Sequence, residues 1–231
     1  MLNQYSNRLD VALMDKYYHR IDDKELYSRT TFTFDLWEII KTLVSELKPG
    51  KRLIRAIDVG GGKGDIIIKG LKYGYEPFLT DINKDFLEEA ERRYPELRGH
   101  TAILNIFDSK EVIEFMDKNG FFDIVLCLGL VLNHTDLPKK VAVGFSNLIK
   151  LANENSIIVV DFMLSELYVG NPKSIWADFT MTPISINGIS RLIKRHGLLL
   201  KAFHSIEYDY GEYKNYRYKD HAVRLFLVKP Y

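Results

Sequence analysis

The segment Asp58-Val59-Gly60-Gly61-Gly62-Lys63-Gly64-Asp65 carries the densest chemical signal in the chain. Glycines at 60, 62 and 64 follow a short apolar run and open a helical pattern. Glycine admits positive φ and lets backbone pass close to a ligand. The N–H groups of such a turn, with a helix start behind them, favour polar or anionic ligand groups. Two phosphate-binding patterns nevertheless fail on spacing. A P-loop requires glycine at 57 and Ser or Thr at 64, where this chain has Ile57 and Gly64. A dinucleotide fingerprint starting at Gly60 requires glycine at 65, where Asp65 stands. Asp58 would also set an anion beside a diphosphate, so the loop suits a ligand carrying positive charge.

Three further positions complete the pattern. Asp81 closes the next apolar run, seventeen residues after Gly64. A carboxylate there accepts both hydroxyls of a ribose whose base lies over Ile82. The stretch Leu104-Asn105-Ile106-Phe107-Asp108 ends the third run. Asn105 or Asp108 suits an adenine edge, with Ile106 or Phe107 as an apolar wall. Cys127-Leu128-Gly129, after the fourth run, offers backbone carbonyls to an ammonium group. An adenosine nucleoside with an amino-acid tail satisfies every position without a phosphate.

Beyond the nucleoside positions, His134 follows the fourth run and is the candidate general base, since imidazole titrates near neutral pH. The alternative is a loop histidine held by Asp136. Trp176 and Asp178, in a connector too long for a simple turn, and Tyr27 upstream are candidate acceptor-binding residues. Tyr208, Tyr210, Tyr213, Tyr216 and Tyr218, with Lys214, Arg217 and Lys219, read as a hairpin rim packing on a second subunit or on the N-terminal helices. Stacking on nucleic-acid bases is the alternative. The histidines are scattered and Cys127 stands alone, so no metal-ligand spacing exists.

These residues need a frame that brings strand ends together. Short apolar runs at 55–59, 77–80, 101–104, 123–128 and 156–160 predict strands, alternating with helical patterns at 66–73, 83–94, 110–118, 138–152 and 185–196. Asn83 and Ser185 stand at N-cap positions, and Gly74, Gly120 and Gly197 at stops. The alternation predicts βαβ units around a parallel sheet. Strands at 198–208 and 222–229 are separated only by loop-like residues 209–221, so that pair is predicted antiparallel. Upstream, Phe34, Trp37, Ile40, Leu43, Val44 and Leu47 recur at helical spacing before the stop Pro49-Gly50, and 11–27 reads as helix too. The organisation expected is an N-terminal helical cap over 1–50 and a ligand-binding domain over 51–231.

The chain has 231 residues, with 32 Lys and Arg against 31 Asp and Glu, for a net charge of +1. Hydrophobic residues make up 46%, which excludes disorder as the main state. Near-neutral charge gives no broad field for nucleic acid or acidic membranes. The longest apolar stretch, 121–132, is too short for a bilayer and contains Asp123. No signal peptide is visible, and a single cysteine fits a reducing cytoplasm.

Asp58-Val-Gly-Gly-Gly-Lys-Gly64, Asp81-Ile82, the Phe122–Cys127 run and the closing hairpin together resemble a class I S-adenosylmethionine-dependent methyltransferase, from about Leu53 to the C-terminus. The resemblance implies a Rossmann-like α/β fold with a seven-stranded, mostly parallel sheet in the order 3-2-1-4-5-7-6, strand 7 antiparallel. It implies S-adenosyl-L-methionine as cofactor. Asp58, Gly60 and Gly62 would line its methionine end, Asp81 its ribose, and Ile82 its adenine. Asn105 occupies the place of an acid that commonly meets the adenine amino group, with Asp108 as the substitute. Ile106 and Leu128 complete the cofactor set. His134 falls where family members face the methyl group, and the family's small-molecule enzymes often carry a helical cap like 11–47. The expected partner is a small-molecule methyl acceptor, with the chain a monomer or homodimer. The alternatives are methylation of tRNA or rRNA, a nicotinamide-dependent oxidoreductase, and a non-catalytic donor-binding protein.

Overall fold

The computed structural model describes residues 36–51, 53–166, 181–213 and 216–230, with backbone alone for 207–213 and 216–221. Seven strands form one sheet: β1 (Ile54–Val59), β2 (Tyr75–Asp81), β3 (Thr101–Ile103), β4 (Phe122–Cys127), β5 (Ala152–Met163), β6 (Leu199–Tyr213) and β7 (Tyr216–Lys229). Their spatial order is β3-β2-β1-β4-β5-β7-β6. Pairing is parallel from β3 through β5, and β7 is antiparallel to both β5 and β6. The antiparallel closing pair is the one the sequence pattern predicts, and the strand order is the one the family resemblance implies. The central strand β4 is buried along its whole length, as a strand covered on both faces must be.

Alternate residues of the central strands feed two separate cores, because successive side chains point to opposite faces. Ala56, Ile124, Leu126 and Val159 pack with helix α1 (Leu36–Leu47) and helix α2 (Lys84–Arg93). Ile57, Val125, Cys127 and Val160 pack with α3 (Ser109–Asn119), α4 (Pro138–Lys150) and α5 (Ile186–Arg195). Caps fall where the sequence puts them. The Asn83 side chain accepts the Asp85 N–H at 2.9 Å, and the Ser185 hydroxyl accepts the Gly188 N–H at 3.0 Å. Asp123, at the opposite end of β4 from the candidate site, is structural: its carboxylate accepts the Arg55 N–H and pairs with Lys48 and Lys51.

Two elements differ from expectation. The helix predicted over 66–73 is a 3₁₀ helix, Ile67–Tyr73, ending on left-handed Gly74. Its Ile66-Ile67-Ile68 run is β-branched and Gly70 sits within it, both poor for an α-helix. Gly70 is needed there, because a Cβ would lie 2.9 Å from the Trp37 ring. Within the stretch read as a loop, 209–221, the described residues 209–213 and 216–221 are strand. β6 and β7 stay paired to Tyr213↔Tyr216, as the β-propensity of tyrosine favours. A register shift between Asp209 and Gly211 accommodates the polar residues that suggested a loop. β5 ends against Ala222, so 207–213 and 216–221 form a two-stranded ribbon beyond the carboxyl end of β5.

Of the proposed 1–50 cap, the described part is α1, and it belongs to the sheet's core. Trp37 is 3% exposed, donates its indole N–H to the Ile66 carbonyl, and stacks with Tyr73. Trp37→Ala is therefore expected to cost about 3–5 kcal/mol in denaturant unfolding. A loss below about 1 kcal/mol would instead mark α1 as a loosely attached appendage.

Candidate functional site

The site begins with a backbone constraint. Gly60 and Gly61 both donate their N–H groups to the Thr80 carbonyl of β2, at 2.8 and 3.1 Å. Gly62 donates to Asp81 Oδ2 at 2.9 Å, and Gly64 to the Gly61 carbonyl at 3.1 Å. The four glycine N–H groups are thus spent inside the protein. The helix behind them is a seven-residue 3₁₀ segment, with little dipole to offer. The loop therefore lacks the convergent donors that a diphosphate requires.

Three glycines are required by geometry. Gly60 has φ +70, and a Cβ on it would lie 2.7 Å from Val131. Gly64 has φ +81 and faces Leu97. Gly61, which the spacing argument passed over, lies directly on Asp58: a Cβ there would sit 2.6 Å from the carboxyl carbon. Gly62, at φ +56, faces open space.

Asp58 is 1% exposed, and neither carboxylate oxygen receives a hydrogen bond. Burial, with the Asp81 charge adding to it, pushes its carboxyl up to about 7, although Arg224 pulls the other way. Asp81 is buried as well, and burial raises its carboxyl while N–H groups of Asn83, Gly62 and Ile82 oppose the rise. Its Oδ1 accepts the Asn83 N–H at 2.8 Å and its Oδ2 the Gly62 N–H. A carboxylate has about four lone-pair positions, so both oxygens retain capacity for ribose hydroxyls. Asp81 is thus both a brace of the glycine loop and an acceptor at its edge.

The next strand ends extend the row in the sheet's own order. Ile82, after β2, is 39% exposed, whereas Ile106, after β3, is buried and its carbonyl accepts the Asn147 amide at 2.8 Å. Asn105 Oδ1 accepts the Phe107 N–H at 3.1 Å. Asp108, the substitute for Asn105, is spent on capping α3 through the Lys110 and Glu111 N–H groups.

On the other side of β1, Leu128 is buried, and Gly129 and Leu130 both adopt left-handed backbone at φ +69 and +64. A non-glycine residue in that conformation costs roughly 1–2 kcal/mol. His134 follows, half-buried, with its imidazole pulled down to about 4 by burial. It is neutral at physiological pH and a weak base. Trp176, Asp178 and Tyr27 lie outside the described residues.

Two features escaped the sequence reading. Asn133 is fully buried: its amide donates to the Thr182 carbonyl at 2.7 Å, its Oδ1 accepts the Met163 N–H, and its carbonyl accepts the Thr182 N–H. With the Leu164↔Ile184 bridge, it ties the turn after β4 to both ends of the 165–183 excursion. Asp161 and Arg224 form a buried two-point ion pair at 2.7 and 2.8 Å, and Asp161 Oδ2 also accepts the Gly129 N–H at 3.1 Å. The only sequence trace of either is a polar residue interrupting an apolar run.

The geometry agrees with what the chain is similar to. A SAM-dependent methyltransferase from Methanosarcina mazei superposes with a TM-score of 0.59 at 14% identity, covering 85% of this chain and 99% of that one. A TehB-like SAM-dependent methyltransferase from Corynebacterium glutamicum gives 0.56 at 14% identity, covering 95% and 99%. Magnesium protoporphyrin IX methyltransferase from Synechocystis, with bound SAH, gives 0.52 at 16% identity, covering 81% and 80%. No curated protein gives a significant sequence match. A family model does, over residues 12–168. With its seven-stranded sheet and glycine loop, the chain belongs to the ubiE/COQ5 methyltransferase family, whose members are S-adenosylmethionine-dependent methyltransferases.

Proposed function

We propose that this chain methylates a nucleophilic atom of a small molecule, in the cleft formed by the carboxyl ends of β1, β2, β3 and β4. The observation that carries the reading is the orphaned, buried Asp58 carboxylate beneath a loop whose glycine N–H groups are already spent. That arrangement fits a cationic nucleoside. The methyl donor supplies an electrophilic methyl group on a positively charged sulfur.

The chain's own residues hold and orient. Asp58, Gly60 and Gly62 border the methionine end. Asp81 accepts the ribose hydroxyls. Ile82 and Ile106 flank adenine, with Asn105 at its edge. Leu128 closes the tail end. His134 is assigned to the acceptor side of the cleft, where its neutral imidazole orients the nucleophile by hydrogen bonding; with its imidazole near 4 it is too weak a base to hold the proton. Displacement at carbon depends chiefly on in-line placement of the nucleophile. Trp176, Asp178 and Tyr27 are assigned to the acceptor wall, and the residues that precede α1 to a cover over the cleft. Among the described residues, buried Asp58, Asp81 and Asp161 at the carboxyl ends stand against one buried guanidinium, Arg224, a charge balance that opposes a phosphate backbone and favours a small acceptor over RNA. The lone buried thiol of Cys127 suits a reducing cytoplasm.

Calorimetry with adenosylhomocysteine and with S-adenosylmethionine is expected to give one site each, and NADH none. Failure of both ligands to bind at about millimolar concentration ends the reading. RNA affinity that falls steeply with salt would move the acceptor from small molecule to nucleic acid.

Asp58 also gives the site a pH signature. Its folded-state carboxyl lies near 7 against an unfolded 3.8, so its neutral form contributes stability that is complete below pH 3.8 and lost as pH rises through 7. The unliganded chain is expected to lose stability over that window, and Asp58→Asn to flatten the loss and melt higher than the unmodified chain at about pH 8. For a cationic ligand the sign reverses, because the ionised carboxylate attracts it. Affinity for S-adenosylmethionine is expected to rise between about pH 6 and pH 8 in the unmodified chain and stay level in Asp58→Asn. Affinity that falls over that range would remove Asp58 from the donor site.

A further inference from the structure

We infer that Asp161 and Arg224 are positioning residues for the amino-acid end of the methyl donor, acting through the strained Gly129–Leu130 turn. The inference rests on the donor reading above and extends it to two residues that do not border the glycine loop.

The turn after β4 needs an external hold. Gly129 and Leu130 are consecutive left-handed residues, and Leu130 is 1% exposed. Strained backbone persists only where its surroundings over-determine it. The Gly129 N–H is held by Asp161 Oδ2, and both oxygens of Asp161 are held in turn by the Nε and Nη2 groups of Arg224. The planar guanidinium fixes the carboxylate in orientation as well as in charge. The turn so held presses on the donor loop, since Val131 occupies the space a Cβ at Gly60 would take.

Direction across the sheet identifies which end of the ligand is affected. Asp81, the ribose acceptor, lies on β2, on one side of β1, and the turn follows β4, on the other. The nucleoside end and the turn are therefore separated by the glycine loop, and the ligand's tail is the part that reaches the turn. Asp161 and Arg224 are partners in adjacent strands, Asp161↔Arg224, so the C-terminal hairpin is connected to the ligand's tail through two side chains.

The test uses two ligands that differ only beyond the thioether: adenosylhomocysteine, and methylthioadenosine, which lacks the amino-acid tail. Arg224→Lys keeps the charge and loses the fork. Asp161→Asn/Arg224→Gln removes both charges together and leaves neither uncompensated. Each variant is expected to weaken adenosylhomocysteine by about tenfold or more while changing methylthioadenosine by less than about twofold, with cooperative melting retained. Equal weakening of both ligands, no weakening of either, or loss of cooperative melting in both variants would overturn the positioning role. Any of these with normal binding by the unmodified chain leaves the donor reading intact. No binding of adenosylhomocysteine by the unmodified chain removes the donor reading and this inference together.

Discussion

The docking of the glycine loop onto β2 constrains everything else at the site. By donating the Gly60 and Gly61 N–H groups to Thr80 and the Gly62 N–H to Asp81, the loop is locked before any ligand arrives. The lock requires a glycine at 61, since any side chain there would collide with Asp58. It also seals the Asp58 carboxylate beneath backbone, away from water. An isolated buried carboxylate is costly by several kcal/mol, and proteins commonly relieve the cost by shifting its protonation. The rise of Asp58 toward neutrality is that relief. A preorganised loop and an unsatisfied acid are therefore two results of one packing arrangement.

Such costs have to be offset elsewhere, and the two-sided core is where that happens. β4 is buried on both faces, between two cores to which helices on either side of the central strands contribute. Near the site the chain accepts left-handed Leu130 and clustered negative charge. At the far end of β4, Asp123 is satisfied by Lys48, Lys51 and the Arg55 N–H, which hold its carboxyl below the usual range against the effect of burial. Two acids lie on neighbouring central strands, one fully compensated and one left orphaned. Their contrast separates the stabilising end of the sheet from the working end.

Much of this was legible in the sequence because it is local. The strand–helix alternation, the caps Asn83 and Ser185, and the Asp58–Gly64 and Asp81–Ile82 motifs each lie within a few residues. What stayed hidden depends on distant partners. Gly61 matters because of where Asp58 points. Asn133 matters because of Thr182 and Met163, and Asp161 because of Arg224. A lone polar residue in an apolar run announces a partner without naming it. The reading of 209–221 as a loop failed for another reason. Its tyrosines favour a strand, whereas Asp209, Gly211, Lys214 and Asn215 suggest turns. Pairing between the two strands decided the matter, and a single bulge absorbed the misfit.

The antiparallel insertion of β7 gives the end of the chain access to the site. In a parallel sheet with its site at the carboxyl ends, every strand reaches the site with its last residues. β7 runs the other way, so the first of its residues to pair with β5, Ala222 to Arg224, lie against the last residues of that strand. A guanidinium near the point where β7 first meets β5 thereby faces a carboxylate late in β5, a pairing that a parallel strand could make only from its own far end. The same reversal carries the tyrosine-rich ribbon past the carboxyl edge, onto the side where the glycine loop lies. Strand direction, set by a hairpin too short for a crossover, thus determines which residues from the last part of the chain lie at the carboxyl end of β5.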